Sequence, residues 1–160
     1  MFAIDGSKVH VPPSFIKFGC KSRTNDQPVT RIAKRPLLML SSMFDVNSRT
    51  CYDLIVSTHF NERTSVMHHM KKAKAGDTMI FDRGYYSKQL LQYANKLHIR
   101  VLFRLKRDAF IIAKKFYSSS ATLMNVKVLT DSTSTQAFLF KYLIEGKVYM
   151  YVHDKFCYRM

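Results

Sequence analysis

Hydrophobic and polar positions follow two different spacings along the first 106 residues. Strand-like runs, either alternating or continuously apolar, fall at 2–11, 37–46, 50–58, 78–82 and 100–106. Apolar residues recur at helical spacing over 62–74 and 87–97, where Asn61 and Ser87 are placed to cap each helix start. The pattern predicts the order β-β-β-α-β-α-β.

The second part of the chain has a different pattern. Strand-like runs at 110–117, 123–130, 137–144 and 147–152 are separated by Ser/Thr clusters and by Glu145-Gly146, which is typical of a two-residue hairpin turn. Residues 14–35 are predicted to form a loop, and 154–160 give no clear element. A β-rich region is therefore predicted after the α/β part.

This element order is that of the ribonuclease-H-like fold, an α/β fold with a mixed sheet and helices on both faces. Residues 1–108 are expected to form that core and residues 109–160 a β-rich insertion that is cut short, which leaves the fold incomplete at its C-terminus. The first and fourth strands are neighbours in this fold, so Asp5 and Asp82 should lie side by side.

Positive charge is the strongest signal in the composition. The chain has 26 Lys+Arg against 11 Asp+Glu, a formal net charge of +15. Such a balance favours a polyanionic partner, most often nucleic acid, although a basic protein without such a partner is the alternative. The excess is spread over residues 17–35, 71–74 and 100–115, which indicates a folded basic surface rather than a basic tail.

Several classes of protein are disfavoured by the sequence. No apolar run reaches the roughly 18 residues that suggest a membrane span, and the N-terminus has no apolar segment typical of a signal peptide. The 3 Cys are far apart and odd in number, which fits a reducing compartment without disulfides. We expect a cytoplasmic protein with no membrane partner.

Asp5 and Asp82 each follow a short apolar run and are the main candidates for chemistry. Two adjacent carboxylates repel each other unless a cation lies between them. Mg²⁺ or Mn²⁺ takes such oxygen ligands together with water and phosphate, and two such ions support phosphoryl transfer on a nucleic-acid backbone. The alternative is that both Asp side chains cap the turns before Gly6 and Gly84.

Three stretches carry a resemblance to a known family. They are 3-AIDGS-7, 37-LLMLSSMFDV-46 and 80-IFDRGYYSKQLLQYANKLHIRVLFRLKRD-108. In content, order and spacing they resemble the DDE transposases of bacterial insertion sequences, in the subgroup with a Tyr-Arg-Glu-Lys signature. The resemblance covers residues 2–108, and residues 110–153 are similar to the β insertion of that family.

The resemblance implies a function and a set of site residues. Proteins of this family cut and join DNA ends during transposition, with Mg²⁺ or Mn²⁺, two ions in the complete enzyme. Asp5 and Asp82 would be catalytic metal ligands. Arg83 and Tyr85 would contact DNA phosphate, with ion pairing and core packing as the alternatives, and Ser7 and Lys8 would line the same groove. DNA would be the partner, with a possible homodimer in the full-length family and a place at the nucleoid.

One part of the family pattern is absent. The third acid should be a Glu in a Tyr-x-x-Arg-x-x-x-Glu helix after the insertion. Glu62 precedes Asp82, Glu145 lies in a predicted turn, and Asp154 has no such surroundings. We therefore expect a transposase fragment whose own catalysis is uncertain.

Two other interpretations stay open beside that fragment. One is an inactive remnant or domesticated protein that binds DNA without cutting it. The other is a metal-dependent nuclease that uses a different acid of this chain. His68 and His69 offer no metal site, because neighbouring helical residues point about 100° apart, and we expect an exposed, partly packed pair.

Overall fold

A computed structural model of the chain describes residues 1–20, 36–58, 61–129 and 134–154. The basic residues between 21 and 35 and the tail from 155 to 160 lie outside the described residues. Within the predicted loop, Pro13–Phe18 form a short 3₁₀ helix.

One mixed sheet of eight strands organises the fold. The strands are β1 (Phe2–His10), β2 (Leu37–Asp45), β3 (Thr50–Ser57), β4 (Thr78–Phe81), β5 (Arg100–Leu105), β6 (Leu123–Leu129), β7 (Ser134–Ile144) and β8 (Lys147–Asp154). Their order across the sheet is β3-β2-β1-β4-β5-β8-β7-β6. The β1–β4 and β4–β5 pairs are parallel and the others are antiparallel. The first and fourth strands are neighbours, as predicted.

In the described part of the chain, three α-helices accompany the sheet: α1 (Glu62–Lys72), α2 (Lys88–Lys96) and α3 (Ile111–Ser118). The two predicted caps are confirmed. The Asn61 side chain accepts a hydrogen bond from the backbone N–H of Thr64 at 3.4 Å, and the Ser87 hydroxyl accepts one from Leu90 at 3.1 Å. Each cap satisfies a backbone donor that the first turn of a helix leaves free.

The core lies where the apolar stripes of α1 and α2 meet one face of the sheet. Alternation in β1, β4 and β5 puts Ile4, Phe81 and Phe103 on this face, and all three are buried. The rings of Phe81 and Phe103 stack at 4.8 Å between centroids. This packing fixes the C-terminal ends of β4 and β5, and hence the start of the turn that carries Asp82.

The predicted strand at 110–117 is wrong, because these residues form α3. Ala113 and Phe116 are buried three residues apart, a helical spacing that the β-branched and aromatic content of the run concealed. Lys141 on β7 supports the helix end by donating to the carbonyl oxygens of Phe116 and Tyr117 at 3.0 and 3.3 Å. A contact with a distant strand therefore decided the local conformation.

The C-terminal strands continue the same sheet. β8 lies antiparallel to β5, with Val152 opposite Phe103, and β7 and β6 follow outside it. The predicted hairpin is confirmed, since Glu145 and Gly146 connect β7 to β8 with φ of 50° and 74°. The division into a core of 1–108 and an insertion of 109–160 stays a prediction. None of the helices in the described ranges has the length and apolarity that crossing a membrane requires.

Candidate active site at the ends of β1, β4 and β5

Asp5 and Asp82 occupy equivalent places on neighbouring parallel strands. β1 and β4 pair with Ile4 opposite Phe81, and each Asp is the next residue along its strand direction. Neighbouring strands lie about 4.8 Å apart, so the backbones of the two Asp residues lie near each other, and both side chains are exposed. The pairing of the first strand with the fourth that the sequence predicts is therefore confirmed.

A tight turn returns the chain over the end of the sheet directly after β4. The backbone N–H of Tyr85 donates to the carbonyl oxygen of Asp82 at 3.2 Å. The Tyr85 ring then packs 5.9 Å from Phe81, and only 3% of this side chain is exposed. Tyr85 was predicted to contact DNA phosphate or to be part of the core. Its ring lies in the core, and its hydroxyl reaches toward β1.

Gly6 makes room for that hydroxyl. Tyr85 Oη lies 2.9 Å from the point that a Cβ atom on Gly6 would occupy. Cγ and Cδ of Glu62, in the first turn of α1, each lie 3.3 Å from the same point. At Gly6, β1 therefore lies next to both the start of α1 and the turn after β4.

Glu62 lies beside Gly6, although the sequence predicts no role for it there. It was set aside because it precedes Asp82 in the chain, whereas the fold brings the start of α1 to Gly6. A usable signal was present: Asn61 predicts where the helix begins, and a Gly directly after Asp5 permits a close approach to β1.

The Tyr85 hydroxyl is in an unusual electrostatic position. Burial raises the pKa of Tyr85 above its ordinary value, and the negative charges of Glu62, Asp5 and Asp82 raise the pKa further. The phenol therefore keeps its proton at neutral pH and is a hydrogen-bond donor. Among the residues that the structure describes, Tyr85 Oη has no hydrogen-bond partner.

Arg104 is the positive neighbour of Asp82. Its Nη1 lies 3.4 Å from Asp82 Oδ1, and its guanidinium lies 4.9 Å from the ring centre of Tyr149. The Asp82 side chain is 62% exposed and that of Arg104 is 32% exposed, so this ion pair contributes little to stability. The aromatic stacking nevertheless fixes a positive charge beside the carboxylate.

The other predicted site residues lie at the surface around this point. Arg83 follows Asp82 in the turn and is exposed, and Ser7 and Lys8 are exposed on β1 beyond Asp5. An open groove of about 490 Å³ runs between the start of α1 and the turn after β4, lined by Asn61, Glu62, Arg63 and Gly84. The surface beside the carboxylates therefore offers both space and positive charge.

Asp154 is not part of this cluster. It ends β8, and because β8 runs antiparallel to β5, it lies beyond the pair His153–Leu102, toward the N-terminal end of β5. Asp82 instead contacts Arg104 near the C-terminal end of the same strand. Asp154 is also buried, which raises the pKa of its carboxyl group.

His69 departs from the expectation of an exposed pair. Its side chain is fully buried, with Nε2 3.1 Å from Ser41 Oγ and Nδ1 2.8 Å from Asp53 Oδ2, while Lys72 donates to Asp53 at 2.7 Å. His68 is exposed, as expected. A neutral ring with its proton on Nδ1 satisfies both His69 contacts.

This Ser-His-Asp chain has the order of a hydrolase triad, but Ser41 and His69 are inaccessible to substrate. We interpret the network as structural. It links the last turn of α1 to β2 and β3.

Comparison with solved structures gives a fold match. The fold resembles the cryo-EM structure of the piggyBac transposase synaptic complex with hairpin DNA, with a TM-score of 0.55 and 11% sequence identity over 95% of this chain. The chain spans 32% of that protein. No protein-family profile and no curated protein matches the chain.

The match confirms the ribonuclease-H-like α/β class at the level of the fold. It gives no support to the narrower assignment, the bacterial subgroup with the Tyr-Arg-Glu-Lys signature.

Proposed function

We propose that this chain belongs to a DNA transposase of the DDE type and carries part of its phosphoryl-transfer site. The observation that carries the proposal is the placement of Asp5 and Asp82 at adjacent positions of two neighbouring parallel strands, with both side chains exposed: Asp5 lies within β1, and Asp82 directly follows β4. The fold likeness to a transposase and the net charge of +15 support it. The insertion-sequence subgroup remains part of the proposal, on the motifs around Asp5 and Asp82.

The residues present suit a hard divalent cation. Asp5 and Asp82 offer carboxylate oxygens that water can reach, and Mg²⁺ commonly binds through one or two carboxylates while water and substrate phosphate complete its shell. Bound Mg²⁺ or Mn²⁺ would activate the attacking water or 3′-hydroxyl and stabilise the leaving oxygen. Two ions would act in the complete enzyme, as in other phosphoryl-transfer sites.

The remaining residues would hold the DNA. Arg83 and Lys8 would neutralise phosphates next to the carboxylates, and Ser7 would line the same surface. Arg104, fixed over Tyr149 beside Asp82, is placed to contact the scissile phosphate. These roles are proposed on position and charge. DNA is the proposed partner, and a homodimer that works at the nucleoid is the proposed assembly.

A second function is favoured by a specific observation. Nowhere in the described ranges do three His, Cys, Asp or Glu side chains come together in a group that could hold a metal ion. A chain with an incomplete metal site would bind DNA through its basic surface without cutting it. This remnant or domesticated DNA-binding protein is the alternative to the catalytic proposal.

One pair of assays separates the two functions. Nicking of supercoiled plasmid is measured with Mn²⁺ for the natural chain, for Asp82→Asn and for Asp77→Asn. Asp77 is the matched control, because it precedes the opposite end of β4 and accepts a hydrogen bond from the backbone of Lys74, which an Asn side chain also accepts. DNA affinity is measured as a function of salt for the same three proteins.

Catalysis predicts nicking that Asp82→Asn abolishes and Asp77→Asn preserves. Binding without catalysis predicts no nicking, but a DNA affinity that falls steeply with salt and survives Asp82→Asn, because Lys and Arg contacts to phosphate release counterions. Undetectable DNA binding at moderate salt would contradict both functions.

A further inference from the structure

The arrangement around Gly6 contains a carboxylate that the two-Asp site leaves out. Glu62 lies half-buried in the first turn of α1, with its Cδ atom 3.3 Å from the place of a Cβ on Gly6. Gly6 directly follows Asp5. The fold thus holds the Glu62 carboxylate beside Gly6 in β1, although Glu62 is far from both Asp residues in the sequence.

An independent observation indicates that a ligand can bind here. Tyr85 is a polar side chain that is 3% exposed, and its Oη reaches the same point beside Gly6. Oη has no hydrogen-bond partner among the described residues. Burying such a group without a partner costs free energy, so a donor buried in this way beside carboxylates is expected to gain its partner when the site is filled.

The electrostatics agree with the geometry. The charges of Glu62, Asp5 and Asp82 all act on the Tyr85 hydroxyl, that of Glu62 most strongly. Carboxylates that act on one hydroxyl favour a cation among them. Arg104 contacts Asp82 at 3.4 Å, and that contact is largely exposed.

We propose that Glu62 is the third carboxylate of a divalent-cation site with Asp5 and Asp82, and that the Tyr85 hydroxyl positions it by donating a hydrogen bond. The three side chains do not form a ready metal cage in the described part of the chain. On binding, the cation would therefore either draw in the flexible Glu62 side chain or contact it through a metal-bound water, as Mg²⁺ often does. The inference rests on the proposed phosphoryl-transfer function and supplies the acid that the sequence motifs lack.

Manganese binding tests the inference without any need for activity. Mn²⁺ is titrated into the tag-free chain, and the free ion is followed by its electron paramagnetic resonance signal, for the natural chain, Glu62→Gln, Asp82→Asn and Glu145→Gln. The chain has one other Glu, Glu145, exposed in the β7–β8 turn, so Glu145→Gln makes the same chemical change outside the site. Thermal unfolding checks that each variant folds.

We expect Glu62→Gln and Asp82→Asn each to weaken Mn²⁺ binding by about tenfold or more, while Glu145→Gln leaves it unchanged. If Asp82→Asn weakens binding but Glu62→Gln does not, the two-Asp site stands and the assignment of Glu62 is overturned. If the natural chain does not bind Mn²⁺, the catalytic function fails, and this inference fails with it.

A second variant guards against loss of folding. Glu62→Asp keeps the negative charge in the first turn of α1, where it interacts favourably with the helix dipole. The substitution shortens the side chain by one methylene. Should Glu62→Gln fail to fold, Glu62→Asp decides: weaker Mn²⁺ binding supports the ligand role, and unchanged binding overturns it.

Discussion

The hydroxyl oxygen of Tyr85 lies 2.9 Å from the point that a Cβ atom on Gly6 would occupy. The Tyr85 ring is held against Phe81 and is buried, so its hydroxyl has little room to retreat. We predict that Gly6→Ala lowers the free energy of unfolding by about 1–3 kcal/mol through overpacking. It should also weaken Mn²⁺ binding, because Glu62 lies against the same point.

Urea unfolding and the Mn²⁺ titration measure both effects. Gly84→Ala is the matched control, since a Cβ there would meet no atom within 4 Å. It should leave stability unchanged or slightly raised. Equal effects of the two substitutions would show that the contact at Gly6 does not constrain the site.

Removing the Tyr85 hydroxyl should act in opposite directions on stability and on metal binding. Without metal, Tyr85→Phe removes a buried donor that has no partner in the described residues, and leaving such a donor unsatisfied costs about 1–3 kcal/mol. We therefore expect the free energy of unfolding to stay constant or rise, while Mn²⁺ affinity falls.

Tyr86→Phe is the control for that experiment. Tyr86 is the next residue, packs against Phe103 and Phe110, and has a pKa raised to about 12 by burial. Its substitution should leave Mn²⁺ affinity unchanged. If the Tyr85 hydroxyl has a purely structural role, Tyr85→Phe should lower the free energy of unfolding without changing Mn²⁺ affinity.

Most of the fold could be predicted from the sequence, because local signals and the tertiary structure agree there. The alternation around Asp5 and Asp82, together with the caps at Asn61 and Ser87, yields the order of the first seven elements. α3 could not be predicted in this way. Its helical conformation is supported by Lys141, which is distant in the sequence.

The site was only partly predictable for a similar reason. Asp5 and Asp82 each follow a short apolar run, which is visible in the sequence, whereas the approach of Glu62 to Gly6 depends on the tertiary structure. The burial of His69 was hidden because its partners, Ser41 and Asp53, come from two different strands. Contacts across elements leave no local pattern.

The Asp53 network should make stability depend on acid. Burial alone would raise the pKa of Asp53, but hydrogen bonds from Lys72 and His69 outweigh it and lower the pKa below its usual value. A carboxylate with a lowered pKa stabilises the fold above its unfolded pKa of about 4, and the contribution is lost as the pH falls through the folded pKa.

Asp53→Asn should therefore lower the free energy of unfolding by about 2 kcal/mol at neutral pH, the usual scale for hydrogen bonds to a charged group. It should also flatten the loss of stability below about pH 4. Urea unfolding between pH 7 and pH 2 measures this, with Asp77→Asn as the control for charge. If the Asp53→Asn variant loses stability equally steeply as the pH falls, the pH dependence comes from other carboxylates.

Arg104 should compete with a cation for Asp82. Its Nη1 lies 3.4 Å from Asp82 Oδ1, so it places a positive charge where a metal ion would bind. We predict that Arg104→Gln raises Mn²⁺ affinity about tenfold, the effect of removing one positive charge about 6 Å from a divalent ion in water. DNA affinity should fall in the same variant, because a phosphate contact is lost.

The two readouts together distinguish competition from positioning. Arg100→Gln is the control, since Arg100 begins the same strand at its other end and is exposed. It should lower DNA affinity at most slightly and leave Mn²⁺ binding unchanged. If Arg104→Gln instead weakens Mn²⁺ binding, Arg104 orients Asp82 for the metal ion, and its stacking on Tyr149 is then part of what holds the site ready.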